Sequence, residues 1–166
     1  MGTAEDLRTA FLGESQANRM YIAFARAAEQ DGLPQIARLF RAAAEAETVH
    51  ALAHFRAMEA IGATEENVRT SVIAEGYENK EMYPTFVAQA EREKNKAAAL
   101  SFRYAQYVEG VHHDLFSKAL KAVMNGKDLP ARPIFVCNVC GNTVRDAVPD
   151  RCPNCGAAKK AFAEVE

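Results

Sequence analysis

The sequence predicts a mainly α protein: a four-helix bundle able to hold two metal ions, followed by a small C-terminal β-rich knuckle domain. Three observations carry that reading. Glu-x-x-His occurs twice, at Glu47–His50 and Glu109–His112, at an offset of 62 residues. The surroundings repeat at the same offset, Phe40-Arg41 returning as Phe102-Arg103 and Met20-Tyr21 as Met82-Tyr83. All four cysteines lie near the C-terminus, as Cys137-x-x-Cys140 and Cys152-x-x-Cys155. On a helix, residues three apart sit about 300° round and about 4.5 Å along, so a Glu and a His at that spacing can reach one ion. One such motif arises by chance. Two inside a duplication are the sequence form of a dinuclear centre between facing helices.

Composition agrees with this class. The chain of 166 residues has room for one bundle and a small appendage, and an apolar content of 49% is enough for a core. A formal charge of −2 gives no electrostatic case for nucleic acid or an anionic membrane as partner. The first 15 residues interrupt their apolar positions with Glu5, Asp6 and Arg8, unlike a signal peptide, and no apolar run approaches membrane-spanning length. A cytoplasmic location is expected, and in a reducing compartment paired Cys-x-x-Cys points to metal before disulfides.

The first helix is expected from about Ala4 to Glu29, ended by Gly32-Leu33-Pro34, with Pro34 suited to the first turn of the second. The second runs to about Ile61 and stops at Gly62. Thr64-Glu65-Glu66 supplies a cap and a negative first turn for the third, which continues to about Glu93. Within it, Pro84 removes a hydrogen bond to the Lys80 carbonyl and is expected to kink the helix. The fourth helix ends at Met124, before Asn125-Gly126. The domains expected are residues 1–126 for the bundle, 127–134 for a linker with two prolines, and 135–166 for the knuckle domain.

The candidate bundle ligands are Glu14, Glu47, His50, Glu75, Glu78, Glu109 and His112. Five carboxylates and two imidazoles suit two hard-to-borderline ions such as iron or manganese. Burying that much charge without metal would be costly. Tyr21, two turns beyond Glu14, is placed to hydrogen-bond a ligating carboxylate. Glu81 reads as solvated, and His54 and His113, unmatched across the repeat, as surface or packing residues. The duplication also slips by one residue: Glu14 plus 62 is Gly76, whereas the carboxylate is Glu75. An extra residue in a helix is usually absorbed as a π-bulge, so one is expected between Glu75 and Met82. In the tail, Gly141 and Gly156 follow the second cysteine of each pair and permit the positive φ of a metal knuckle. Four thiolates at this spacing bind one tetrahedral ion, either structural zinc or redox-active iron.

These features together resemble the rubrerythrin family: duplicated Glu…Glu-x-x-His helices, Glu75-x-x-Glu78 running into Met82-Tyr83-Pro84, and a terminal Cys-x-x-Cys-Gly/Cys-Pro-x-Cys-Gly module. The resemblance extends from Glu14 to Phe162. It implies a ferritin-like di-iron bundle with the seven ligands above, Tyr21 and Tyr83 beside them, and a rubredoxin-like Fe(Cys)4 domain on Cys137, Cys140, Cys152 and Cys155, where zinc can substitute. It also implies a non-haem di-iron peroxidase that reduces hydrogen peroxide in oxidative-stress defence, with electrons arriving from a redox donor protein or reductase through the Fe(Cys)4 centre. The rival readings are a ferroxidase or iron-handling protein, and an oxygen-sensing metal-binding protein with a structural zinc tail. A homodimer with exchanged hairpins is expected on geometry. With helix ends at Ile61 and Glu65 and the metal-bearing turns at one level, the connection would have to span roughly 36 Å. Three extended residues reach only on the order of 14 Å.

Overall fold

The computed structural model describes residues 2–166. The chain divides into two compact units, one ending at Gly62 and the other running Ala63–Glu166.

The first unit is a helical hairpin of α1 (Thr3–Gln30) and α2 (Pro34–Ala57). Its buried apolar residues are small, Ala25, Ala28, Ala37, Ala44 and Ala51, which lets the two backbones approach closely. The turn closes with Leu33 N–H donating to Ala28 O at 2.8 Å and Gly32 N–H to Glu29 O at 3.1 Å. Gly32 takes the left-handed φ of 73° that this closure requires. The α2 helix ends at Ala57, a turn short of the expected Ile61. The chain closes there by the same bonding pattern, Ala60 N–H to Phe55 O, with Glu59 rather than a glycine at φ 53°.

The second unit opens with α3 (Thr64–Tyr77). Its cap differs from the expectation. Ala63 rather than Thr64 occupies the cap position, and Glu66 reaches back to accept from Ala63 N–H at 2.8 Å. A π-helical turn follows over Glu78–Met82, then α4 (Tyr83–Arg92) and α5 (Lys96–Met124). The expected irregularity is therefore present, and it divides what the sequence suggested as one helix. Pro84 falls in the first turn of α4. Tyr83 N–H bonds to Glu78 O in the wider register. In that register the proline's missing N–H would have served Asn79 O, which instead accepts from Gln106 Nε2 at 3.3 Å.

The duplication reaches further than the motifs. The turn between α4 and α5 repeats the first one at offset 62, with Asn95 N–H on Ala90 O and Lys94 at φ 57°. The ion pair Arg41–Glu29 returns as Arg103–Glu91. The ring cluster Tyr21, Phe24 and Phe40 returns as Tyr83, Phe86 and Phe102.

The tail is a three-stranded antiparallel sheet of β1 (Ile134–Cys137), β2 (Thr143–Arg145) and β3 (Phe162–Glu164), in the order β2-β1-β3. It rests on α5, where Asn154 Nδ2 donates to Tyr104 O at 2.9 Å. Among the described residues, no helix is long and apolar enough to cross a membrane.

Candidate metal centres

Three clusters of metal-ligating side chains form: Glu14, Glu47 and His50; Glu75, Glu109 and His112; and the four cysteines. Within each, one ligand atom per residue lies within 4.8 Å of the others.

In the first cluster, His50 Nδ1 lies 2.9 Å from Glu47 Oε2; in the second, His112 Nδ1 lies 2.9 Å from Glu109 Oε2 and 3.5 Å from Glu75 Oε2. Adjacent ligands of an octahedral ion with bonds of ~2.1 Å stand about 3 Å apart, so both donor sets fit such an ion through Nδ1. Glu78 joins neither set of three, but its electrostatics place it beside the second. Burial first, then the charge of Glu75, raise its carboxyl above the ordinary value, with His112 opposing. Glu75 is raised in the same way, by burial and then by its hydrogen bond and charge interaction with Glu109, again against His112. Tyr83 is raised by burial and then by the charges of Glu109, Glu78 and Glu75, which places it in the same locality as those carboxylates. For Tyr21, no hydrogen bond to a ligand carboxylate is found among the described residues; its ring is placed by Phe24 and Phe40. His113 is a packing residue, with Nδ1 3.0 Å from Val72 O. Its ring packs closely on Gly76, where an added Cβ would stand 3.1 Å from it and oblige the ring to shift by a few tenths of an ångström.

Register between the paired helices is held by residues that the sequence did not single out. Asn18, buried four residues after Glu14, donates to Ala44 O at 2.7 Å and Thr48 Oγ1 at 2.8 Å. Asn79, four residues after Glu75, donates to Gln106 O at 2.6 Å. Ala44 and Gln106 each stand three residues before the glutamate of Glu-x-x-His, so one amide clamp recurs in both hairpins. The signal was present: Asn18 and Asn79 share the 61-residue offset of Glu14 and Glu75. The extra residue therefore falls after Asn79 and before Met82, inside the π turn.

The cysteines form two knuckles, with Gly141 N–H on Cys137 O at 2.8 Å and Gly156 N–H on Cys152 O at 2.9 Å. Gly141 and Gly156 take φ of 81° and 74°. The Sγ–Sγ separations are 3.8 Å for Cys137–Cys155 and 3.6 Å for Cys140–Cys152. A tetrahedral ion with bonds of ~2.3 Å needs edges of about 3.8 Å, so the thiolates fit one ion. Burial pushes Cys140 up to about 12. At Cys152 burial also pushes upward, but the N–H groups of Cys155 and Asn154 and the facing thiols outweigh it and bring it to about 7.

The chain is similar to known proteins over most of its length. The family model described as Rubrerythrin matches residues 5–120, and that described as Rubrerythrin, rubredoxin-like domain, matches residues 135–163. Rubrerythrin-2 of Clostridium acetobutylicum is 33% identical over 174 residues, covering 96% of this chain and 95% of its own. Nigerythrin of Nitratidesulfovibrio vulgaris is 32% identical, covering 96% and 85%. Among solved structures, nigerythrin in a partially reduced state aligns with a TM-score of 0.59 at 29% identity, over 99% of this chain and 87% of that one. The duplicated carboxylate–histidine hairpins, the four-cysteine knuckle and these likenesses lead to one conclusion: the chain belongs to the rubrerythrin family.

Proposed function

We propose that the protein is a non-haem di-iron peroxidase that reduces hydrogen peroxide to water, fed with electrons through its four-cysteine site. The carrying observation is the pairing, in one chain, of two matched three-ligand clusters with a four-thiolate site of one-ion geometry. Two ferrous ions in the carboxylate–histidine sites would supply one electron each, the two consumed in H2O2 + 2 H+ + 2 e− → 2 H2O. The residues do the rest. Glu75 and Glu78, which share one locality with His112, would balance charge as the ions change valence. The phenol of Tyr83, in the same locality as those carboxylates, would serve as a proton donor. Cys137, Cys140, Cys152 and Cys155 would hold one thiolate-bound iron, which would supply electrons singly.

The first unit presents three of the seven expected ligands and the second four, and we propose that the complete centre joins Glu14, Glu47 and His50 of one chain to Glu75, Glu78, Glu109 and His112 of a second, in a homodimer with exchanged hairpins. Two observations support this. The buried apolar residues of the helices are seven alanines and Val108, whereas Leu12, Met20, Val49, Leu52, Ile73, Tyr77 and Phe86 are exposed. That leaves the large apolar side chains available to a further helical layer. The connection argues the same way with the observed helix ends. From Glu47 to Ala57 and from Thr64 to Glu75 is about 31 Å of helix in total, against a reach on the order of 25 Å for residues 58–63 fully extended. The earlier end of α2 narrows the shortfall without closing it.

The function is tested by adding peroxide to anaerobically reduced, iron-loaded protein with an external reductase and donor. Sustained peroxide loss coupled to donor oxidation, and a red ferric-thiolate chromophore, are expected. Iron oxidised and retained as mineral with no donor dependence would favour iron handling. A colourless, zinc-filled tail with no turnover would favour a sensor.

A further inference from the structure

We propose that Thr143 is a positioning residue that couples the two kinds of metal site, its hydroxyl joining the ring of His112 to the sulfur of Cys140 through one hydrogen-bonded path. The proposal rests on the reading of Glu75, Glu109 and His112 as ligands. Nδ1 of His112 faces those carboxylates, and Nε2 points the other way, 2.9 Å from Thr143 Oγ1. The same Oγ1 lies 3.2 Å from Gly141 O, within reach of donating to it. That carbonyl shares a peptide group with Asn142 N–H, which in turn donates to Cys140 Sγ. The path thus runs from imidazole to hydroxyl, through a peptide group, to thiolate, each bond polarising the next. Cys140 and Gly141 line the same groove as Glu109 and His112, so the two ends are neighbours on the surface of α5.

The residue type matters because a hydroxyl both donates and accepts. An ion on Nδ1 leaves the ring its proton on Nε2, which must donate. Thr143 Oγ1 then accepts it and passes its own proton to Gly141 O. With Nδ1–H held by Glu109 and no ion present, Nε2 becomes an acceptor. The hydroxyl turns towards it and releases the carbonyl. Occupancy of the bundle site therefore sets whether the peptide beside Cys140 receives a hydrogen bond. Valine has the shape of threonine but neither capacity. Docking of the tail on α5 does not hang on this contact alone, because Asn154 bonds to Tyr104 O independently.

The test uses the full chain with iron in the four-cysteine site and the bundle sites emptied by a chelator, titrated with redox-inert zinc under anaerobic conditions. In the wild type, zinc uptake by the Glu and His residues is expected to shift the ferric-thiolate absorption and the midpoint potential of the thiolate-bound iron. Thr143→Val should abolish that shift and weaken zinc uptake at the His112 cluster by about tenfold, the usual effect of removing a partner of a ligand histidine. Thr143→Ser should restore both. The ferric-thiolate spectrum before titration reports that each variant has folded. An equal shift in wild type and Thr143→Val would overturn the role of Thr143 while leaving the ligand reading intact. No zinc uptake by the wild-type Glu and His residues would overturn the ligand reading and the proposal with it.

Discussion

Glu75 is a carboxylate governed first by burial and then by its neighbours. Burial and Glu109 raise its folded-state value above the ordinary 4.5. A raised group holds its proton more tightly folded than unfolded, so its contribution to stability is complete below the ordinary value. That contribution is lost as pH rises through the folded one. The metal-free protein is therefore expected to melt at lower temperature as pH climbs upward from the ordinary carboxyl range, and Glu75→Gln should flatten that slope in a series of calorimetric scans. Asn18 gives a second residue-scale prediction. Its amide makes two bonds across the first hairpin from a buried position, and Asn18→Ala should cost about 1–2 kcal/mol in denaturant unfolding. The ligands were legible in the sequence because few residue types bind metal and helical spacing orders them. Thr143 was not, because a hydroxyl acquires its meaning from a partner distant in the chain; Asn18 and Asn79 left a trace only in their shared 61-residue offset, which says nothing of what their amides bind.

At the scale of elements, the π turn over Glu78–Met82 is the feature that distinguishes the second hairpin from the first. It absorbs the extra residue after Asn79 and lets Glu75, Glu78 and Tyr83 act on one locality, as their shared electrostatics record. Deleting Lys80 should restore an ordinary helix and turn the residues upstream by about 100° relative to Tyr83. Helix content by circular dichroism should persist while metal bound per chain at the carboxylate–histidine sites falls by at least half. The π turn was legible only because the chain carries its own reference copy, against which one residue is surplus. Helix ends were read less well. α2 stops at Ala57 because Glu59 accepts a left-handed conformation that a sequence reading reserves for glycine. The cap of α3 is an alanine whose N–H is served by Glu66.

For the whole molecule, changing Cys137 and Cys140 to Ser should leave one reaction with peroxide per loading of ferrous iron and abolish sustained turnover with the external donor. Stopped-flow and steady-state assays on the same preparation separate the two. The short connection 58–63 has a further consequence, in polymer terms. The two hairpins are near-copies, so a chain folding back on itself and two chains exchanging halves would use much the same interface. The choice between them is then set by whether the tether can reach. Once a tether spans its sites, effective concentration is in the millimolar range and the intramolecular arrangement wins. Inserting about four Gly/Ser residues after Glu59 should therefore turn the proposed dimer into a metal-loaded monomer in sedimentation, with the ligands unchanged. A variant that stayed dimeric would show that the interface, and not the length of the tether, decides how many chains build one centre.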